Sequence, residues 1–210
     1  MDEQNWLVNV WLIRALRLAI LILGWSSMTI MIVLASGSFD LFSTYTVQSN
    51  LLVLAWLSVA IIFQEKNKNH WFFSQVVRGA ITLYITVTFI IFALLLSFLY
   101  QPTGIAAFTN LVSHYLVPIL FLLDWFLTEL RRKYAWKYTV MWLAYPVFYL
   151  IFTLVRGYYT SDYIYYFIDP NLLGLELFIG AVTIIAGFFI GLGALLVLLN
   201  KKLGQYGSKE

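Results

Sequence analysis

The chain has 210 residues, 62% of them hydrophobic and 11% charged, with a net charge of +3. A soluble domain carries roughly 25% charged residues, so the composition excludes a water-soluble globule and points to an integral membrane protein. There is no cysteine, which excludes disulfides, thiol nucleophiles and thiolate metal sites, and the small positive balance bears on orientation rather than on nucleic-acid binding.

Six runs approach the ~20 apolar residues that cross a bilayer as helix, at approximately 11–34, 42–63, 78–99, 105–127, 138–155 and 172–199. Barrel strands would alternate over about ten residues and need many more turns. The expected fold is all-α: one membrane domain, residues 1–210, built as a six-helix bundle. The first run ends in VLASGS, a sequence like a leader cleavage site. Its apolar part exceeds the roughly 7–15 residues of a leader, so it is expected to remain as a span.

The second run opens with FSTYTVQSN, residues 42–50. On a helix, Ser43, Thr46, Ser49 and Asn50 fall at spacings of three and four and share a face, while Gln48 points elsewhere. Such hydroxyls can bond back to the preceding turn, with Asn50 joining two helices. They can equally line a reaction centre, because polar groups inside a span are costly and mark function.

The fourth run contains NLVSHYLVP. Asn110 and His114 lie one turn apart, and Pro118 removes the bond to the carbonyl of His114, so the helix should bend there. His114 can be a structural contact or a general base, since imidazole alone titrates near neutrality without help. Thr46 and His114 both fall in the outer half of the bilayer at 1.5 Å per residue. A threonine hydroxyl becomes a usable nucleophile when a neighbouring imidazole takes its proton. Asp124 is ten residues beyond His114, about 15 Å of helix, and is expected to pair with Arg131 and Arg132 or with another helix.

The fifth run carries Tyr138, Trp142, Tyr145, Tyr149, Phe152 and Arg156 at spacings of three or four. This stripe is either core packing or an acyl-chain channel with Arg156 receiving a carboxylate at its mouth. The following RGYYTSDYIYYFIDP segment holds Tyr158, Tyr159, Tyr163, Tyr165 and Tyr166 as an interfacial belt, then Asp169. In the last run Glu176 should be protonated or face water, and Gly180, Gly187, Gly191 and Ala194 should allow close helix approach.

With alternating spans, Arg14, Arg17, Lys66, Lys68, Arg78, Arg131, Arg132, Lys133, Lys137, Lys201, Lys202 and Lys209 share one side and only Arg156 the other. The positive-inside rule then places both termini in the cytoplasm. No Gly-x-Ser-x-Gly, Ser-x-x-Lys or His-Glu-x-x-His is present, which removes the common soluble hydrolase and zincin templates.

TVQSNLLV after an FS pair, Asn110-x-x-x-His114 with Pro118 just after it, Asp124, and YYFIDP late in the outer loop occur in that order. In this the chain resembles the androgen-induced-gene family of six-span membrane proteins, including its bacterial branch. The resemblance implies a threonine hydrolase of fatty-acid esters of hydroxy fatty acids, with Thr46 as nucleophile and His114 as base. Two departures accompany it: Thr44 stands where bacterial relatives tend to have Tyr and competes as nucleophile, and Tyr166 stands where Pro often precedes Phe.

The expected activity is hydrolysis of a fatty-acyl or similar lipid ester in a bacterial cytoplasmic membrane, without cofactor or metal. Ser49, Asn50 and Asn110 would orient the pair or donate to the oxyanion, with Tyr145, Tyr149 and Arg156 on the substrate path. The alternative is a small-molecule or lipid transporter or sensor, with His114 as a proton relay. A transporter often interrupts helices at matching positions of two halves, and no internal repeat is evident.

Overall fold

A computed structural model describes residues 10–36, 38–63, 70–129 and 133–206. Among these residues the protein is helical, without strands, and contains six helices long and apolar enough to cross a membrane. They are α1 (Val10–Leu34), α2 (Tyr45–Phe63), α3 (Gln75–Leu96), α4 (Ile105–Glu129), α5 (Tyr138–Thr160) and α6 (Pro170–Tyr206).

The helix starts are set by side chains that take up free amides. Thr44, in extended conformation, accepts from the amide of Val47 and begins α2. Ser74 likewise accepts from Val77 and begins α3. Asp169 accepts from the amides of Asn171 and Leu172 at the start of α6. Gly174 then interrupts α6 after one turn at φ 72°, a backbone region that suits glycine.

Three helix starts differ from the sequence reading for this reason. Ser43 belongs to a 3-10 turn, Phe39–Ser43, ahead of the Thr44 cap, so it does not share the helical face of Thr46, Ser49 and Asn50. The Ser74 cap places Arg78 one turn inside α3 rather than at its edge. The last helix starts at Pro170, which fits a first turn because its missing amide needs no partner there.

α3 is central. Its residues Ile81 to Thr88 are buried without a break, the pattern of a helix covered on every side. α1, α2 and α4 pack with it around Trp56 and Phe121, while α6 and the first turn of α5 pack on its other flank around Tyr84, Trp125 and Trp142. Pro146 explains a break in α5 at Trp142–Leu143: it has no amide to give the Trp142 carbonyl. That carbonyl instead accepts from the Tyr84 hydroxyl at 2.9 Å.

Asp124 is fully buried and pairs with Arg17 of α1 at 2.8 Å and Arg78 of α3 at 2.5 Å. Of the two partners expected for it, the structure supplies other helices; Arg131 and Arg132 lie outside the described residues. The Arg78 guanidinium also lies over the Phe121 ring at 3.8 Å and the Trp56 ring at 4.5 Å. Such desolvated cation–ring contacts are worth about 2 kcal/mol.

The expected small-residue seam of α6 is not where helices meet. A Cβ added at Gly180, Gly187 or Gly191 would meet nothing within 4 Å, whereas at Gly193 it would reach Trp142 at 3.5 Å. The register that packs Gly193, Leu196 and Val197 inward turns the other glycines outward. Tighter approaches occur at Gly24 against Leu54 and at Gly79 against Trp142.

Candidate active site

Thr46 is the second residue of α2, held by the turn that Thr44 caps. His114 lies in α4, where the helix widens into a π turn over Val112–Leu116. This is where Pro118 predicts an interrupted ladder, and the amide of Val117 bonds to the Val112 carbonyl, one residue farther back than in an α-helix. The wider turn carries His114 toward α2. Its Nε2 lies 3.1 Å from the Thr46 hydroxyl oxygen, across 68 residues of chain.

The imidazole is oriented on its other side. Nδ1 lies 3.2 Å from the Asn110 carbonyl, which can only accept. Nδ1 therefore carries the proton, and Nε2 is left with a lone pair facing Thr46. Phe92 stacks on the imidazole with ring centroids 3.7 Å apart. Phe92 opens a second π turn, Phe92–Leu96, in α3, so both rings come from widened turns on facing helices. The arrangement is a hydroxyl, a base and an orienting acceptor, the minimum set for covalent acyl transfer.

Ser49 lies 3.1 Å from the Thr46 carbonyl and 2.7 Å from the Thr88 hydroxyl of α3. Asn50 donates both to the Thr46 carbonyl at 2.8 Å and to the Ser113 carbonyl at 3.0 Å. It thereby clamps the turn carrying Thr46 to the turn carrying His114. The Asn110 side-chain oxygen is buried with no partner among the described residues. Thr44 spends its hydroxyl on structure, donating to the Leu41 carbonyl while accepting from Val47.

The aromatic stripe divides. Tyr149 borders the site and donates to the Ser43 carbonyl at 3.0 Å. Tyr145 faces α2 one step away and donates to Gln48 at 2.9 Å. Arg156 is not brought to the pair. Its guanidinium is taken by Asp40 at 2.9 Å and Asp162 at 3.1 Å, and these two carboxylates fill the role expected of a substrate carboxylate. Glu176 is exposed.

An apolar cavity of about 190 Å³ begins at Thr46 and runs between α3, α5 and α6. Its walls include Phe92, Leu96, Leu150 and Phe189, and at the Thr46 end it meets the hydroxyl-bearing Thr88, Tyr149 and Tyr165. Val147 and Ala186 on its rim are exposed, so it opens sideways between α5 and α6. Sequence reasoning assigned no site role to Phe92, Thr88 or Tyr165. Tyr165 lies in the YYFIDP piece and read as a belt tyrosine; nothing in the sequence singles out Phe92.

Toward the other end of the bundle, the Arg17–Asp124–Arg78 cluster is cut off from this site. Val53, Leu54 and Leu57 of α2 and Val117 and Phe121 of α4 are fully buried between them. Thr82 and Thr86 of α3 spend their hydroxyls on carbonyls of their own helix. Comparison of the chain with protein-family models, with curated proteins and with solved structures finds no match.

Proposed function

We propose that the protein is an integral membrane hydrolase of lipid esters, taking fatty-acid esters of hydroxy fatty acids or similar acyl lipids. The observation that carries the reading is the 3.1 Å contact of Thr46 with the free nitrogen of His114 at the end of an apolar cavity. His114 takes the Thr46 proton as Oγ1 bonds to the ester carbonyl carbon, then returns it to the leaving alcohol. Water, activated by the same imidazole, releases the acyl group from Thr46. The cavity receives the acyl chain, and its sideways opening suits a substrate arriving from a bilayer.

The helix lengths support insertion in a bilayer and the basic residues support both termini inside; the resemblance to a bacterial branch supports a bacterial cytoplasmic membrane. Lys133, Lys137, Lys201 and Lys202 are exposed at the helix ends assigned to that side. Lys66, Lys68, Arg131, Arg132 and Lys209 of the same group lie outside the described residues. The apolar layer between the two polar clusters counts against a polar pathway through the bundle, and so against transport.

Labelling of purified protein with a fluorophosphonate tests the reading. Thr46→Ala should abolish labelling, His114→Ala should slow it at least 100-fold, and Thr44→Ala should leave it intact. Undiminished labelling of Thr46→Ala would remove the nucleophile.

A further inference from the structure

Charge that develops on a carbonyl oxygen during attack needs a donor placed in advance. Two of the residues that the sequence suggests for this are otherwise engaged: Asn50 donates to two backbone carbonyls, and Ser49 lies against a carbonyl and Thr88. The N-terminus of α2 holds another hydroxyl. Tyr165 reaches down from the segment before α6, and its oxygen accepts from the amide of Tyr45 at 3.1 Å. The same oxygen adjoins the amide and hydroxyl of Thr46, and the ring lines the cavity.

We infer that Tyr165 is a catalytic residue that donates its phenolic hydrogen to the oxyanion formed when Thr46 attacks an ester. The inference rests on the hydrolase reading. The phenol oxygen already accepts from a backbone amide, and its hydrogen, within reach of the Thr46 and Tyr149 hydroxyls in the resting site, can turn from them to an oxyanion formed beside Thr46. Phe167 stacks on the ring at 5.2 Å with planes 12° apart and fixes its direction. Burial raises the pKa of the phenol, so the hydrogen stays in place at neutral pH.

The step balances without any further reactant. Thr46 Oγ1 bonds to the carbonyl carbon as its proton passes to His114 Nε2. The carbonyl π pair moves onto oxygen, where the Tyr165 hydrogen bond meets it. Collapse restores the carbonyl, breaks the bond to the leaving oxygen and sends the His114 proton there. Tyr165 keeps its proton throughout.

The test compares a long-chain trifluoromethyl ketone, which adds to a nucleophile and forms an oxyanion, with the methyl ketone of equal length, which does not. The full-length protein in detergent is used as wild type, as Tyr165→Phe, and with difluorotyrosine at position 165. Tyr165→Phe should weaken the trifluoromethyl ketone about 100-fold while methyl ketone binding stays within about threefold. Difluorotyrosine keeps the shape and both hydrogen bonds but loses its proton more readily. Its rate should therefore fall at lower pH on the alkaline side, which decides the matter even if the phenylalanine variant does not fold. Equal weakening of both ketones, no weakening, or an unmoved alkaline limb would each leave Tyr165 as a helix cap and overturn the inference. Wild-type protein that forms no adduct overturns the hydrolase reading and this one with it; an adduct indifferent to position 165 overturns this one alone.

Discussion

Phe92 lies flat on His114, ring centroids 3.7 Å apart and planes 19° from parallel, although the two residues sit on different helices. The stack covers one face of the imidazole while Asn110 holds its edge. Removing the ring frees the base to rotate. Phe92→Ala should lower kcat about 10- to 100-fold, the scale of a misplaced catalytic group, with a smaller change in KM. Steady-state hydrolysis of a long-chain ester in detergent measures both, and an unchanged kcat would show that the stack does not position the base.

Thr44 and Thr46 are two residues apart and have opposite surroundings. Thr44 caps α2 through the Val47 amide, and loss of such a cap costs about 1 kcal/mol. Thr44→Ala should lower the melting temperature and retain fluorophosphonate labelling, and Thr44→Ser should restore stability. Loss of labelling in Thr44→Ala with a normal melting curve would move the nucleophile to position 44.

Asp124 sits between two arginines with no exposure to solvent. Taking out one member of such a buried set leaves uncompensated charge and costs about 3–5 kcal/mol. Asp124→Asn should therefore unfold at markedly lower denaturant. The buried Glu129 also acts on Arg78 and brings the set to two cations and two carboxylates. Replacing Arg17, Arg78, Asp124 and Glu129 together with apolar residues of similar volume should recover most of the loss, and a quadruple variant as weak as the single one would mean that the cluster does more than balance charge.

The cavity predicts chain-length selectivity. Ala186 lies on its exposed rim, on α6, where an added ring would narrow the opening. Ala186→Phe should reduce kcat/KM for long-chain esters about tenfold and spare short-chain esters, since roughly 1–3 kcal/mol rides on each misfitting apolar group. Competition between two esters in one assay reads the ratio directly, and parallel loss on both would place the acyl chain elsewhere.

Arg156 holds the Asp40 carboxyl below its ordinary value of 3.8, with help from Ser38. A depressed carboxylate contributes its stability above the unfolded pKa and loses it as pH falls through the folded one. The tie between the Phe39–Ser43 turn and α5 should thus hold from neutrality down to pH 3.8 and release below it. Spin labels on the turn and on α5 report the separation; release well above that pH would contradict the assignment.

The sequence announced the architecture because an apolar run near 20 residues has few outcomes other than helix, and because hydroxyl and histidine spacing on a helix fixes which side chains share a face. Thr46 and His114 were singled out by depth and by the family resemblance, and the structure sets them 3.1 Å apart on two helices. Helix ends were less so: whether Ser43 joins the helix or precedes it depends on one hydrogen bond from Val47 to Thr44. The outward turn of the α6 glycines depends on which side of that helix meets Trp142, a tertiary fact that no local pattern carries. Tyr165 was hidden by company, one tyrosine among several in a loop whose path returns it to the start of α2.

The buried triad also bears on the order of assembly. Arg17 and Arg78 are made before Asp124, so a chain inserted during synthesis presents both arginines on its first and third helices before the fourth brings the carboxylate that joins them. Until then Arg78 must keep to the membrane edge or to the translocation machinery, because an isolated charge in hydrocarbon is costly. The arrival of α4 both draws the early helices together and, ten residues upstream of Asp124, delivers His114 to Thr46. Biogenesis would thus withhold the contact of Thr46 with His114 until the scaffold is closed.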